Sequence, residues 1–198
     1  IYTEVERMSK MCKLDADKTA VVLGCGMEGL LTVAALKTLG INKIIVIDKE
    51  SEKSRAMEFG AWEFIGSHGK NGVAGVKDKI RAAAGDMADA VFICTDSPMG
   101  RNVARRFMKN SGSICEMGFL CGWRRTPTAR YFEDSMPAGG RFYAARDYEN
   151  CMNFLAKAAE MKLPLYKLIT HRYKLEEINE AMWTVVREEG LGIAVFNR

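Results

Sequence analysis

Histidine, proline and patterned cysteine are all scarce in this sequence. Two histidines (His68 and His171) and four prolines occur in 198 residues. The six cysteines (Cys12, Cys25, Cys94, Cys115, Cys121 and Cys151) include no C-x-x-C pair. Metal-ligand spacing is therefore missing, and a zinc site built from this chain is disfavoured. No apolar run approaches the ~20 residues needed to span a bilayer, which argues against a membrane span. A block of like charge is also missing. The net charge is +4 with signs mixed throughout, and Arg105-Arg106 and Arg124-Arg125 are pairs only. A nucleic-acid surface is not implied, and Trp62, Trp123 and Trp183 show no stacking pattern for bases. No signal peptide, internal repeat or low-complexity tract is visible in these residues, and the start at Ile1 leaves room for a segment upstream. Cys94 and Cys115 sit in apolar, strand-like runs where reduced thiols are ordinary, so a cytoplasmic location is expected.

What is present is core material: 48% of residues are hydrophobic, enough to bury roughly 70% of the unfolded surface. Strand and helix signals alternate. A leading helix and polar loop occupy 1–19. Strands are expected at 20–24, 43–48, 62–65, 88–94 and 113–117, with helices over 27–39, 51–59, 76–85 and 99–109 between and after them. Such alternation predicts a parallel sheet with helices on both faces. Residues 118–140, with Pro127 and Pro137, read as a loop over the carboxyl ends of the strands. Gly140–Ala144 reads as a sixth strand. Helices over 148–161 and 175–189 and a strand at 193–196 close the chain. The fold class expected is α/β, a doubly wound parallel six-stranded sheet.

The most informative stretch is Ala20-Val-Val-Leu-Gly-Cys-Gly-Met-Glu-Gly29. Gly24, Gly26 and Gly29 have G-x-G-x-x-G spacing between a strand and a helix, and Lys43-Ile-Ile-Val-Ile-Asp48 ends a second strand on a carboxylate. This order suits a dinucleotide. Gly24 permits the tight turn, Gly26 clears room for a pyrophosphate, and Gly29 lets the helix pack near the sheet. The N–H groups and dipole at the helix start attract the anion. Asp48 accepts hydrogen bonds from a ribose diol, each charge-assisted bond contributing roughly 1.5–3 kcal/mol. A 2′-phosphate about 4 Å from Asp48 costs roughly 1–4 kcal/mol in repulsion, so NAD is favoured over NADP. Lys49, Lys53 and Arg55 soften that preference, or form a solvated helix face with Glu50, Glu52 and Glu58.

The tail Leu168-Ile-Thr-His-Arg-Tyr-Lys-Leu-Glu-Glu-Ile-Asn-Glu-Ala181, with Gly190-Leu-Gly-Ile-Ala-Val-Phe196, resembles the closing segment of medium-chain dehydrogenases/reductases, the zinc-dependent alcohol, polyol and threonine dehydrogenases. The resemblance covers nearly the whole chain. It implies a Rossmann coenzyme-binding domain over 1–198 with no catalytic residue and no metal ligand of its own. It also implies cofactor contacts at Gly24, Gly26, Gly29, Met27, Glu28, Asp48 and Lys53, with Lys49 beside them. Thr95, Gly118 and Phe119 would meet the ribose and nicotinamide side. Arg141, Phe142 and Tyr143 would lie near the nicotinamide and a homodimer interface formed by paired sixth strands.

The resemblance also sets limits. Asp96 follows Thr95 where the family often has glycine, and Ala194 stands where some members carry a basic residue. The family's zinc ligands, proton relay and alcohol or ketone pocket belong to a preceding catalytic, GroES-like domain that this chain lacks. The expectation is a coenzyme-binding part of a longer enzyme, inactive alone. The alternative is a stand-alone dinucleotide-sensing domain. Tyr-x-x-x-Lys, the short-chain dehydrogenase signature, is absent, and His171 reads as a hydrogen-bonded structural residue.

Overall fold

A computed structural model describes residues 1–67, 72–95, 98–117, 145, 147–187 and 190–196. These form two compact units, Ile1–Leu163 and Pro164–Arg198.

The first unit runs α1 (Tyr2–Met11), β1 (Thr19–Leu23), α2 (Met27–Thr38), β2 (Lys43–Asp48), α3 (Lys53–Glu58), β3 (Glu63–Gly66), α4 (Gly72–Ala84), β4 (Ala88–Ile93), α5 (Pro98–Ala104), β5 (Met108–Glu116) and α6 (Asp147–Glu160). Its five strands pair in parallel in the order β3-β2-β1-β4-β5. The order reverses at β1, where the chain crosses from one half of the sheet to the other. In doubly wound sheets ligands bind at that switch, beyond the carboxyl ends of the strands.

Strand composition explains the layering. Parallel strands covered on both faces read as unbroken apolar runs, and all five residues of β1 are buried. Val21, Leu23, Ile45, Ile47, Val91, Ile93 and Ile114 point to one face and pack with Val76 and Ile80 of α4, Ala104 of α5 and Phe107. The alternate residues Val22, Val46, Phe92 and Cys115 face the other way, toward the layer where α1, α2 and α6 pack together. Each fully buried Val or Ile contributes roughly 1.5–3 kcal/mol.

The second unit holds β6 (Ile169–Lys174), α7 (Ile178–Val186) and β7 (Gly192–Phe196). β6 and β7 form a separate two-stranded parallel sheet.

The described sheet of the first unit therefore has five strands, not the six expected; the sixth, expected at 140–144, lies outside the described residues. Three other expectations change. β5 begins at Met108, five residues early, because Lys109 reaches back to Asp89 of β4 at 2.9 Å. A helix continuing to 109 is correspondingly cut at Ala104, with a short 3-10 turn over Arg105–Phe107. Ile169–Lys174, given no element of its own in the sequence reading, is a strand.

Candidate functional site: the glycine loop and the tip of β2

The glycine loop leaves β1 at its carboxyl end. Gly24 has φ +100, a conformation that side chains resist. A Cβ there would also lie 2.6 Å from the Cys94 carbonyl oxygen. Gly29 is closed for a different reason: a Cβ there would collide with the Gly24 carbonyl oxygen. That contact holds α2 against the loop. Both glycines are thus demanded by packing.

Gly26 differs. It is exposed, with an ordinary φ of −70, and a Cβ added to it meets no described atom within 4 Å. Nothing described in the protein's own packing requires glycine here. Gly26 is also the N-cap of α2 and supplies no side-chain capping bond. The first-turn N–H groups have no partner within the helix, as at any helix start. Met27 and Glu28 open that turn, with Met27 exposed.

Asp48, the last residue of β2, bridges to this loop. Its Oδ2 accepts the Cys25 N–H at 2.6 Å, and its Oδ1 accepts the Lys49 N–H at 2.6 Å. An ionised carboxylate offers about four lone-pair sites, so each oxygen keeps capacity for a further donor. Two of the cations that follow Asp48 face carboxylates. Arg55 binds Glu52 at 2.5 Å, and Lys53 lies 3.9 Å from Glu50. Both pairs are largely exposed and contribute little to stability.

The loop is braced from below. The Cys94 thiol donates to Thr32 Oγ1 at 3.5 Å, and Thr32 donates to the Glu28 carbonyl at 2.8 Å. Burial pushes the Cys94 thiol up to about 12. Cys25 is likewise pushed up to about 12, first by burial and then by Asp48 and Glu52. Both stay protonated near neutral pH. Thr95 follows β4 on the same side of the sheet, half-buried. The structure therefore groups Gly24, Gly26, Met27, Glu28, Gly29, Asp48, Lys49, Lys53 and Thr95 about the carboxyl ends of β1, β2 and β4. Gly118, Phe119, Arg141, Phe142, Tyr143, Asp96, His68 and Trp123 lie outside the described residues. The Asp48–Cys25 bond escaped the sequence reading, because a loop amide carries no side-chain signal.

Among the described residues, no group of three or more His, Cys, Asp or Glu gathers as a metal site. Zinc has no ligand set among them. No helix among the described residues is long and apolar enough to cross a membrane. His171 lies in the second unit, where its Nδ1 meets Thr170 Oγ1 at 2.9 Å and its ring stacks near Tyr173.

Sheet order, glycine turn and helix start together define a Rossmann-like α/β fold. A family profile described as zinc-binding dehydrogenase matches residues 29–157, about two thirds of the chain. The chain belongs to that family. Sorbitol dehydrogenase 1 of Saccharomyces cerevisiae is 29% identical over 166 residues, covering 81% of this chain and 46% of the yeast protein. The chain spans about half the length of the curated relatives it matches. Among solved structures, an alcohol dehydrogenase from Thermotoga maritima superposes with a TM-score of 0.82 at 20% identity, over 100% of this chain and 55% of its own. An alcohol dehydrogenase from Escherichia coli CFT073, solved with NADH, gives a TM-score of 0.72 at 19% identity over 98% and 56%.

Proposed function

We propose that this chain is the NAD-binding part of a zinc-dependent medium-chain dehydrogenase acting on an alcohol, a polyol or the corresponding ketone. The observation that carries the reading is Gly26. It is a glycine at an uncapped helix start with open space over it, beside two glycines that packing does demand. A pyrophosphate approaching the backbone would use that space, and the α2 dipole favours its charge. Asp48 would accept the adenosine ribose hydroxyls with the capacity left on its oxygens. Lys53 assists there and Lys49 flanks it. Met27 and Glu28 would lie under the pyrophosphate. Thr95, Gly118 and Phe119 would meet the ribose and nicotinamide side, with Phe142 near the nicotinamide. When bound, the cofactor supplies the hydride acceptor or donor; this chain's residues hold and orient it.

NAD is preferred to NADP on charge. Asp48 repels a 2′-phosphate, and Lys53 and Arg55 already face Glu50 and Glu52. Residues 1–198 make up the coenzyme-binding region, and the zinc ligands, proton relay and substrate pocket belong to a catalytic domain outside it. Paired strands near 140–144 join two copies into a homodimer. The free thiols of Cys12, Cys25, Cys94, Cys115 and Cys151 suit a reducing, cytoplasmic setting.

Calorimetric titration of the chain with NADH, and separately NADPH, tests the reading. NADH is expected to bind more tightly. Asp48→Ala should weaken it by roughly ten- to a hundredfold, the loss of one or two charge-assisted bonds. Gly26→Ala should weaken it comparably while moving stability by less than about 0.5 kcal/mol. Undiminished NADH binding by both variants would sink the assignment.

A further inference from the structure

Away from the glycine loop, two thiols distant in sequence meet. Cys12 is the C-cap of α1 (φ −79, ψ 0), after which Lys13 turns left-handed at φ 50. The Leu14 N–H returns to the Ser9 carbonyl at 2.9 Å and fixes that turn. Cys115 lies in β5 opposite Phe92 of β4, fully buried on the face toward α1. The two sulfur atoms are 3.6 Å apart across 103 residues of chain. A disulfide spans ~2.05 Å, so the bond needs a side-chain shift of roughly 1.5 Å.

The two sulfurs differ in access and in charge. Cys12 is half-buried and reachable from solvent. The Cys115 thiol and the Ser113 hydroxyl hold the Cys12 thiol down to about 6, against the opposing effect of burial. The C-terminal end of α1 gives no help to an anion, so these hydrogen bonds are responsible. Cys115 is raised well above the ordinary thiol range by the same hydrogen bond and by burial. An accessible thiolate beside a protonated partner is the arrangement of an attacking and a resolving cysteine. Cys25 and Cys94, both buried and protonated, lack it.

We propose that Cys12 and Cys115 form a dithiol modification site that a small disulfide, such as oxidised glutathione, converts into an intramolecular disulfide. The Cys12 thiolate attacks one sulfur of the oxidant, forming a mixed disulfide and releasing one glutathione thiolate. Cys115 then loses its proton to that thiolate or to solvent and attacks the Cys12 sulfur. The second glutathione leaves. Two protein thiols are oxidised, and one glutathione disulfide is reduced to two thiols. The product ties the end of α1 to β5.

The test is incubation of the whole chain with oxidised glutathione, followed by thiol counting after denaturation and by peptide mapping. Two of the six thiols should disappear, with no glutathione retained and with the Cys12 peptide joined to the peptide containing Cys115. Cys121 shares that tryptic peptide, so a Cys121→Ser background assigns the bond. Cys115→Ser should instead trap glutathione on Cys12, whereas Cys151→Ser should behave as the parent chain does. Six surviving thiols, glutathione retained on Cys12 of the parent chain, or a bond from Cys12 to any other cysteine would overturn the proposal. Should Cys115→Ser fail to fold, the parent chain's peptide map still decides.

Discussion

The five-stranded sheet and the β6–β7 pair are both parallel, yet they are built from different sequence. In β1 every residue is buried. In β6 none is, and β7 is half-buried to exposed throughout. α7 carries Met182, Trp183, Val185 and Val186 exposed to 55–65%. A parallel sheet gains its stability from cover on both faces, and the five-stranded sheet has it. The smaller unit buries little beyond Leu168, Ala181 and Thr184, and hydrogen bonds from particular side chains link its elements. The Tyr173 hydroxyl donates to Thr184 Oγ1 at 2.7 Å, and Thr184 donates to the Glu180 carbonyl at 3.1 Å. Thr170 Oγ1 donates to the Gly192 carbonyl and accepts the Leu191 N–H. Burial is extensive in one unit and sparse in the other, where side-chain hydrogen bonds stand out.

The harshest way to break that contrast is Gly29→Ala. The new methyl meets a backbone oxygen that has nowhere to go, and a loss of about 3 kcal/mol is expected for this overpacking, read as a lowered melting temperature. An unchanged melting curve would mean that α2 shifts off the loop without cost. Next comes amide hydrogen exchange. The N–H groups of Val21 and Val22 should be protected roughly a hundredfold more than that of Arg172, since local opening spans from almost nothing to the global unfolding energy. Equal protection would erase the distinction between the units.

Asp89→Asn probes polar support within the buried sheet. Asp89 accepts the Thr19 N–H at 2.9 Å and Lys109 Nζ at 2.9 Å. Burial alone would raise its pKa, but the Thr19 N–H and Lys109 outweigh it and hold the carboxyl below the usual range. A depressed folded value gives stability that is complete above the unfolded pKa of ~3.9 and is lost as pH falls through the folded one. Denaturant unfolding should therefore show the variant about 1.5 kcal/mol weaker at pH 7, with the gap closing below about pH 4. The smallest effect expected is from Tyr173→Phe, about 1 kcal/mol, visible as faster exchange in β6.

Where burial governs, the sequence was readable. Val21 to Leu23, Ile44 to Ile47 and Ala90 to Ile93 announced strands by composition alone, and the glycine spacing located the turn. β6 was not, because Ile-Thr-His-Arg-Tyr-Lys has neither an apolar run nor a clear apolar stripe. Its order comes from pairing with a segment more than twenty residues on. The early start of β5 was equally hidden: Lys109 falls at the end of an expected helix and Asn110-Ser-Gly112 between elements, and only the Lys109–Asp89 contact and a register shift at Ala88/Ala90 draw them into the sheet. At the candidate site, residue types were legible and their links were not. Spacing showed that Gly24, Gly26 and Gly29 belong together. It could not show that two serve the packing and one is spare.

The bond from Asp48 to the Cys25 amide has a wider consequence. It joins the tip of one strand to the turn after its neighbour, and so works as a ruler built from a single side chain. On the function proposed above, the distance between the carboxylate that would take a sugar and the loop that would take a phosphate is set before any ligand arrives. A molecule with those two groups at the wrong separation would have to break the ruler to use both. Under that proposal the folded chain would select for the length of the ligand as well as for its charge.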